Sequence, residues 1–104
     1  MVIPPEAKSQ IITSPDGKSQ IISHGNGYRD GLGSYCLEGV VKNISSEPDI
    51  NVRIKIEYYD ANGMSIDTEE DIVNIPRPGG TRAFYIPYAG LRRADVKSHK
   101  INII

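Results

Sequence analysis

The sequence predicts an all-β fold, an antiparallel, immunoglobulin-like β-sandwich of about seven strands with an N-terminal β-hairpin. Ile and Val together number 22 of the 104 residues, against 3 Leu and 5 Ala. Side chains branched at Cβ favour extended backbone over helix. Seven Pro and ten Gly interrupt the chain, and a turn signal roughly every ten residues is typical of short strands joined by tight turns.

Composition and charge exclude several classes of protein. The apolar fraction of 38% and charged fraction of 24% are typical of a globular domain rather than a disordered chain. A formal net charge of -1 leaves no excess of cations for phosphate, so no nucleic-acid partner is expected. No apolar run approaches the ~20 residues of a membrane span, so no membrane insertion by this chain is predicted. Residues 1–8 lack the profile of a signal peptide.

Residues 1–34 are predicted to form an N-terminal hairpin and a glycine-rich connection, and residues 35–104 the sandwich core, within one structural domain. The sequence KSQII at 8–12 recurs at 18–22, and Ser14-Pro15-Asp16-Gly17 between the copies has the composition of a turn. Residues 24–34 hold four of the ten glycines. A phosphate-binding loop requires a helix after it, whereas residues 35–41 have the pattern of a strand, so a flexible connection is favoured.

Residues 50–60 show the clearest strand pattern. Ile50, Val52, Ile54, Ile56 and Tyr58 alternate with polar residues and one further tyrosine. A period of two predicts a strand with one buried and one solvated face.

The turn at residues 60–63 predicts a hairpin with a three-residue loop and Gly63 in the left-handed region. In this register apolar side chains oppose each other on the inner face and opposite charges pair on the outer face. The expected pairs are Tyr58–Ile66, Ile56–Thr68 and Val52–Ile72 inside, with Lys55–Glu69 and Arg53–Asp71 outside. Glu70 is then the exception, facing inward opposite Ile54.

Two further strands complete the sandwich. Residues 81–86 follow a Pro- and Gly-rich turn and are expected to end at Pro87. Residues 94–104 form the last strand, with Ile101 and Ile103 on one face. Two arrangements are open for the exposed edge of this last strand. If the N-terminal hairpin covers it, the protein is a monomer; if the strand pairs with the same strand of a second copy, the protein is a weak edge-strand dimer.

Catalytic and metal chemistry have little support. Ser23, His24, Cys36 and His99 supply a nucleophile and bases, but no signature spacing links them. They are too few and too far apart for a zinc site. Cys36, the only cysteine, is expected to be a buried small residue. The sequence therefore predicts no enzyme and no cofactor.

The acidic strand is one candidate binding feature. Asp67, Glu69 and Asp71 alternate along one face. A solvated face paired with Arg53 and Lys55 is favoured, and a calcium site is the alternative, because calcium takes converging carboxylate oxygens.

Exposed tyrosines are the other candidate. Tyr28, Tyr59 and Tyr85 are predicted to contact a ligand or partner, with Tyr59 opposite in direction to Tyr58 and Tyr85 opposite to Phe84. Tyrosine offers a large contact area at low entropy cost, which suits a protein or a polysaccharide partner. The absence of tryptophan weakens the case for sugar binding.

Three segments together resemble the FxLYD domain family. They are the strand EGVVKN at 38–43, the strand end YYDANG at 58–63 and the turn and strand PGGTRAF at 78–84. The similarity covers residues 35–104. Ile56 and Tyr58 stand where the family name has Phe and Leu, whereas Tyr59 and Asp60 are kept.

The resemblance implies a sandwich of immunoglobulin or fibronectin type from a bacterial or archaeal envelope or secreted protein, with no catalytic residues to carry over. It favours a non-catalytic structural or interaction module, with a carbohydrate- or calcium-binding module as the alternative. Asn43-Ile44-Ser45 matches the glycosylation acceptor pattern, which matters only if the chain is exported.

Overall fold

The computed structural model describes residues 11–104. This part of the chain contains eight strands, one 3₁₀ turn at Arg93–Asp95 and no α-helix, so no helix in it is long and apolar enough to cross a membrane. The strands are β1 Ile12–Thr13, β2 Ser19–His24, β3 Tyr28–Arg29, β4 Tyr35–Asn43, β5 Ile50–Tyr59, β6 Ser65–Ile75, β7 Thr81–Tyr88 and β8 Ser98–Ile103. The predicted all-β, antiparallel class is confirmed, with eight strands rather than seven.

Two antiparallel sheets form the sandwich. In the large sheet, β7 pairs with one edge of β4, while β2 and β3 share the other edge and β1 pairs with β2. The small sheet has the order β6-β5-β8. On one side of the sandwich β6 lies against β7, and on the opposite side β8 lies against β1.

The N-terminal hairpin is confirmed where the structure describes it, since residues 8–10 of its first arm lie outside the described residues. Ile12 pairs with Ile21. Gly17 turns the chain with φ of +73°, and its N–H donates to the carbonyl of Ser14 at 3.0 Å. Because β2 pairs with β4, the hairpin is part of the large sheet. The glycine-rich segment after it, predicted as a flexible connection, contains the short strand β3 and leads into β4.

The core lies between the sheets. Val52, Ile54, Ile56 and Tyr58 on β5 are at most 1% exposed, which confirms the predicted alternation. The side chains that face them from other elements are also buried: Leu37, Val41, Phe84, Ile86, Tyr88, Ile101 and Ile103. Burial of such side chains is the main favourable contribution to folding.

The loop between β5 and β6 is built as predicted. Gly63 has φ of +77°, and its N–H donates to the carbonyl of Asp60 at 3.0 Å. The register then shifts, because Tyr59 pairs with Ser65 whereas Tyr58 pairs with Asp67. Ile66 is the extra residue of a β-bulge, which inverts the direction of every following side chain.

The predicted register beyond Ile66 is therefore wrong by one residue. Val73 now lies opposite Val52 and is buried, and Ile75 takes the next inward position. Ile72, expected opposite Val52, is 59% exposed on the outer face. The bulge is favoured because it directs the apolar side chains of Val73 and Ile75 into the core, where the large sheet covers β6.

The predicted charge pairs change with the register. Lys55–Glu69 and Arg53–Asp71 do not form, because Asp67, Glu69 and Asp71 face inward, opposite Tyr58, Ile56 and Ile54. Glu70, expected to face inward, lies opposite Lys55 on the outer face. Its Oε1 is 3.8 Å from Nε of Arg53.

Pro87 does not end its strand, contrary to the prediction. It pairs with Cys36, and β7 continues to Tyr88. A proline is tolerated here because β7 is an edge strand, so the missing N–H faces no partner strand.

We expect Gly39→Ala to destabilise the fold. A Cβ at Gly39 would contact the ring of Phe84 and lie 2.6 Å from the carbonyl oxygen of Ser23. Forced overpacking of this kind lowers the free energy of unfolding by about 1–3 kcal/mol, measurable by urea denaturation. Gly31→Ala is the matched control, since no described residue lies within 4 Å of its Cβ position. Equal stability of the two variants would contradict the packing described.

Candidate functional site

Two of the three predicted tyrosines lie together on the outer face of the large sheet. Tyr28 on β3 pairs with Cys36, and Tyr85 on β7 pairs with Glu38, so they flank β4. They are 41% and 51% exposed, whereas Phe84 is buried. The predicted opposite directions of Phe84 and Tyr85 are confirmed.

Side chains of β4 hold both tyrosines in place. Tyr28 Oη donates a hydrogen bond to Glu38 Oε1 at 2.8 Å. Tyr85 Oη lies 3.4 Å from Cys36 Sγ, with either atom able to donate. Because the two phenols are already ordered, a ligand that contacts them incurs less entropy loss than one that must immobilise them.

Both phenols stay protonated at neutral pH. The hydrogen bond to Glu38, followed by partial burial, raises the pKa of Tyr28 to about 12. The hydrogen bond to Cys36, followed by partial burial, raises the pKa of Tyr85 to about 12. Each hydroxyl therefore remains a neutral hydrogen-bonding group across the physiological pH range.

An open groove of about 700 Å³ lies beside Tyr85. It combines apolar surface from Val40, Ala83 and Phe84 with polar groups of Glu38 and His24. Its full lining is Ser23, His24, Gly25, Glu38, Gly39, Val40, Ala83, Phe84 and Tyr85. We call this lining together with Tyr28 the tyrosine groove. Apolar surface with a few ordered polar groups is typical of binding sites.

Cys36 is fully buried, as predicted, beneath this face. Besides Tyr85, its thiol is within hydrogen-bonding distance of Asp30 Oδ2 and the Ser34 carbonyl oxygen, each at 3.7 Å. No histidine nitrogen is among these partners within residues 11–104, so the structure does not bring Cys36 together with His24 or His99.

His24, which borders the tyrosine groove, also lies beside His99. They line a small pocket with Ile12 and residues of β8. His99 Nδ1 is 2.9 Å from Tyr35 Oη, and buried Nε2 of His24 has no hydrogen-bond partner within residues 11–104. Burial, followed by the charge of nearby His24, lowers the pKa of His99.

Tyr59 is separate from the tyrosine groove. It is half-buried on β5 and points opposite to Tyr58, as predicted. Its hydroxyl donates to Glu57 Oε2 at 2.8 Å, which raises the pKa of Tyr59. The three tyrosines therefore do not form a single surface.

The acidic strand has a structural role. Tyr88 Oη donates to Asp67 Oδ2 at 2.9 Å, and Tyr58 Oη donates to Glu69 Oε1 at 2.8 Å. Within residues 11–104, no group of three or more His, Cys, Asp or Glu side chains has the geometry of a metal site. Asp67 and Glu69, two of the three carboxylates considered as calcium ligands, thus accept hydrogen bonds from buried tyrosine hydroxyls.

Asn43 of the glycosylation pattern is completely buried. Its side-chain amide donates to the Glu47 carbonyl oxygen at 2.7 Å, and its Oδ1 accepts bonds from the backbone N–H and the hydroxyl of Ser45. The Asn-x-Ser pattern here organises the turn after β4.

These features define a β-sandwich module with one ordered aromatic face. No family model matches the chain, so the FxLYD family is not confirmed, and no curated protein matches it. Among solved structures, the chain is similar to the crystal structure of a DUF1425 family member from Shewanella sp. pv-4, with a TM-score of 0.59 and 11% identity. The match covers 92% of this chain and 95% of that chain, and at this identity it shows the fold alone.

We expect acid to destabilise the protein through His99. Its pKa in the folded state is lower than the ordinary 6.5, so the unfolded chain binds the proton first. The contribution of neutral His99 to the free energy of unfolding is present above pH 6.5 and is lost as the pH falls from that value through the folded-state pKa. Urea denaturation between about pH 7 and pH 5 measures this loss.

His99→Gln should reduce the pH dependence in this window. The Asp16 and Asp30 carboxyls, whose pKa values are lowered by hydrogen bonds, lose their contribution only below their ordinary value of 3.8. If the free energy of unfolding of H99Q falls with pH as steeply as that of the wild type, His99 is not the cause of the loss.

Proposed function

We propose that the chain is a non-catalytic β-sandwich module that binds a partner protein through the tyrosine groove. The observation that carries this proposal is the convergence of Tyr28 and Tyr85. They are distant in sequence, yet they lie on one exposed face beside an open groove.

The chemistry of the groove favours an extended polypeptide segment. The apolar side chains of Val40 and Ala83 offer contact area, and Glu38 supplies an exposed carboxylate for a basic or amide group of the partner. Tyrosine is among the residues that dominate binding energy at protein interfaces. An open groove admits a chain that enters and leaves, which an enclosed cavity would not.

The non-catalytic part of the proposal rests on the separation of reactive groups. The hydrogen-bonding partners of the Cys36 thiol are Tyr85, Asp30 and Ser34. In the part of the chain that the structure describes, His24 Nε2 has no hydrogen-bond partner, and His99 bonds to Tyr35. We place the module in a cell-envelope or secreted protein on the FxLYD resemblance alone.

A carbohydrate is the second candidate ligand, favoured by the two ordered tyrosine side chains. The calcium alternative has less support, because Asp67 and Glu69 already accept hydrogen bonds from tyrosines of the core.

Peptide selection on the immobilised protein tests the proposal. Selected peptides should shift amide NMR signals of β4 and β7 around Glu38 and Tyr85. Tyr85→Ser should weaken their binding at least about tenfold, the effect of losing an interface hot spot. Tyr85→Phe, which keeps the ring, should lose less. Tyr59→Ser is the control and should bind as the wild type does.

Two results would contradict the proposal. Peptide-induced shifts confined to other surfaces would remove the groove as the binding site. Saturating shifts at Tyr28 and Tyr85 with soluble envelope polysaccharide, and none with any peptide, would replace the protein partner by a carbohydrate.

A further inference from the structure

Three loops at one end of the sandwich each expose a large apolar side chain. The antiparallel order of the strands brings the β3–β4, β5–β6 and β7–β8 connections to this end. They present Leu32, Met64 and Leu91, which are 83%, 65% and 100% exposed. We call these three connections, residues 30–34, 60–64 and 89–97, the loop end.

Two of the loops share the same rigid construction. Asp30 Oδ1 accepts the N–H groups of Leu32 and Ser34 at 2.9 and 3.0 Å. Asp60 Oδ1 accepts those of Asn62 and Met64 at the same two distances. The glycine at the fourth position has positive φ in both loops. The apolar tips are thus held outward by backbone geometry.

The side chain of Arg29 joins the first loop to the third. Its Nη2 donates to the carbonyl oxygen of Val96 at 2.6 Å, and its Nη1 donates to that of Arg93. Residues 60–62 line a shallow pocket together with Arg92 and Lys97. The three loops therefore form one contiguous end.

Cations outnumber carboxylates by one at the loop end once Arg29 is counted: Arg29, Arg92, Arg93 and Lys97 against Asp30, Asp60 and Asp95. Asp30 and Asp60 accept hydrogen bonds from loop amides and keep their charge, and Asp95 Oδ2 pairs with Nε of Arg92 at 3.2 Å. Arg93 and Lys97 form no ion pair with a carboxylate in the part of the chain that the structure describes. Arg93 is still close enough to Asp30 to contribute to the lowered pKa of its carboxyl.

The geometry points to the loop end as a docking surface for an anionic membrane. Separate exposed apolar tips beside a small excess of cations suit a lipid interface, which deforms around each tip and supplies negative headgroups. A protein partner would instead favour a concave or flat contiguous patch. The contact is peripheral and reversible, and it is independent of the tyrosine groove, which leaves that face free for a partner.

A single tryptophan placed in the loop end tests this inference. The wild-type chain has no tryptophan, so the fluorescence of Leu91→Trp comes from that position alone. We expect its emission to shift to the blue with vesicles in which about a quarter of the phosphatidylcholine is replaced by phosphatidylglycerol. Ile72→Trp, at an exposed site on the outer face of the small sheet, should show no shift.

Sedimentation with the same vesicles provides a second measurement. Leu32→Ser combined with Leu91→Ser should lower the vesicle partition coefficient at least about tenfold. Lys97→Gln should lower it less. Ile72→Ser is the control and should bind as the wild type does, and thermal melts should show that all variants fold.

Three outcomes would overturn the inference. They are no blue shift of L91W with any vesicle, an equal shift of L91W and I72W, and a shift of L91W that depends on protein concentration without vesicles. The last would identify a second copy of the chain as the occupant of the loop end.

Discussion

The structure depends on the environment of one buried hydroxyl group, that of Tyr58. Its ring stacks on Tyr88 with centroids 4.3 Å apart and meets Tyr35 edge-on at 6.0 Å, so it connects both sheets. A buried hydroxyl without a partner costs about 1–3 kcal/mol, and Glu69 supplies the acceptor. Glu69 can face inward only because Ile66 forms a bulge, so the pairing of β5 with β6 follows from this contact.

The same inward carboxylates protect the edges of the sandwich. β6 is a long edge strand, and charged side chains directed inward discourage pairing with another chain. Pro87 limits pairing at β7, the neighbouring edge. The proposed partner surfaces, the outer face of the large sheet and the loop end, lie away from these two edges. The two proposals assign a different kind of partner to each.

The sequence predicts local features well because they depend on neighbouring residues. The alternation of β5, the left-handed Gly63 and the opposite directions of Phe84 and Tyr85 are all confirmed. The bulge at Ile66 was missed because the unbulged register also pairs apolar and charged side chains plausibly. The bulged register buries Val73 and Ile75 and also supplies acceptors to Tyr58 and Tyr88, and Tyr88 lies on a different sheet. The meeting of Tyr28 with Tyr85 likewise requires β3 and β7 to flank β4, which no local pattern indicates.

A double-mutant cycle between Tyr58 and Glu69 tests the central claim most directly. Glu69→Leu should lower the free energy of unfolding by about 1–3 kcal/mol, because it leaves the Tyr58 hydroxyl buried and unpaired. In the Tyr58→Phe background the same substitution should cost at least about 1 kcal/mol less, since no hydroxyl remains to satisfy. Additive effects, or a stability of E69L equal to that of the wild type, would show that Glu69 faces solvent and would contradict the bulged register of β6.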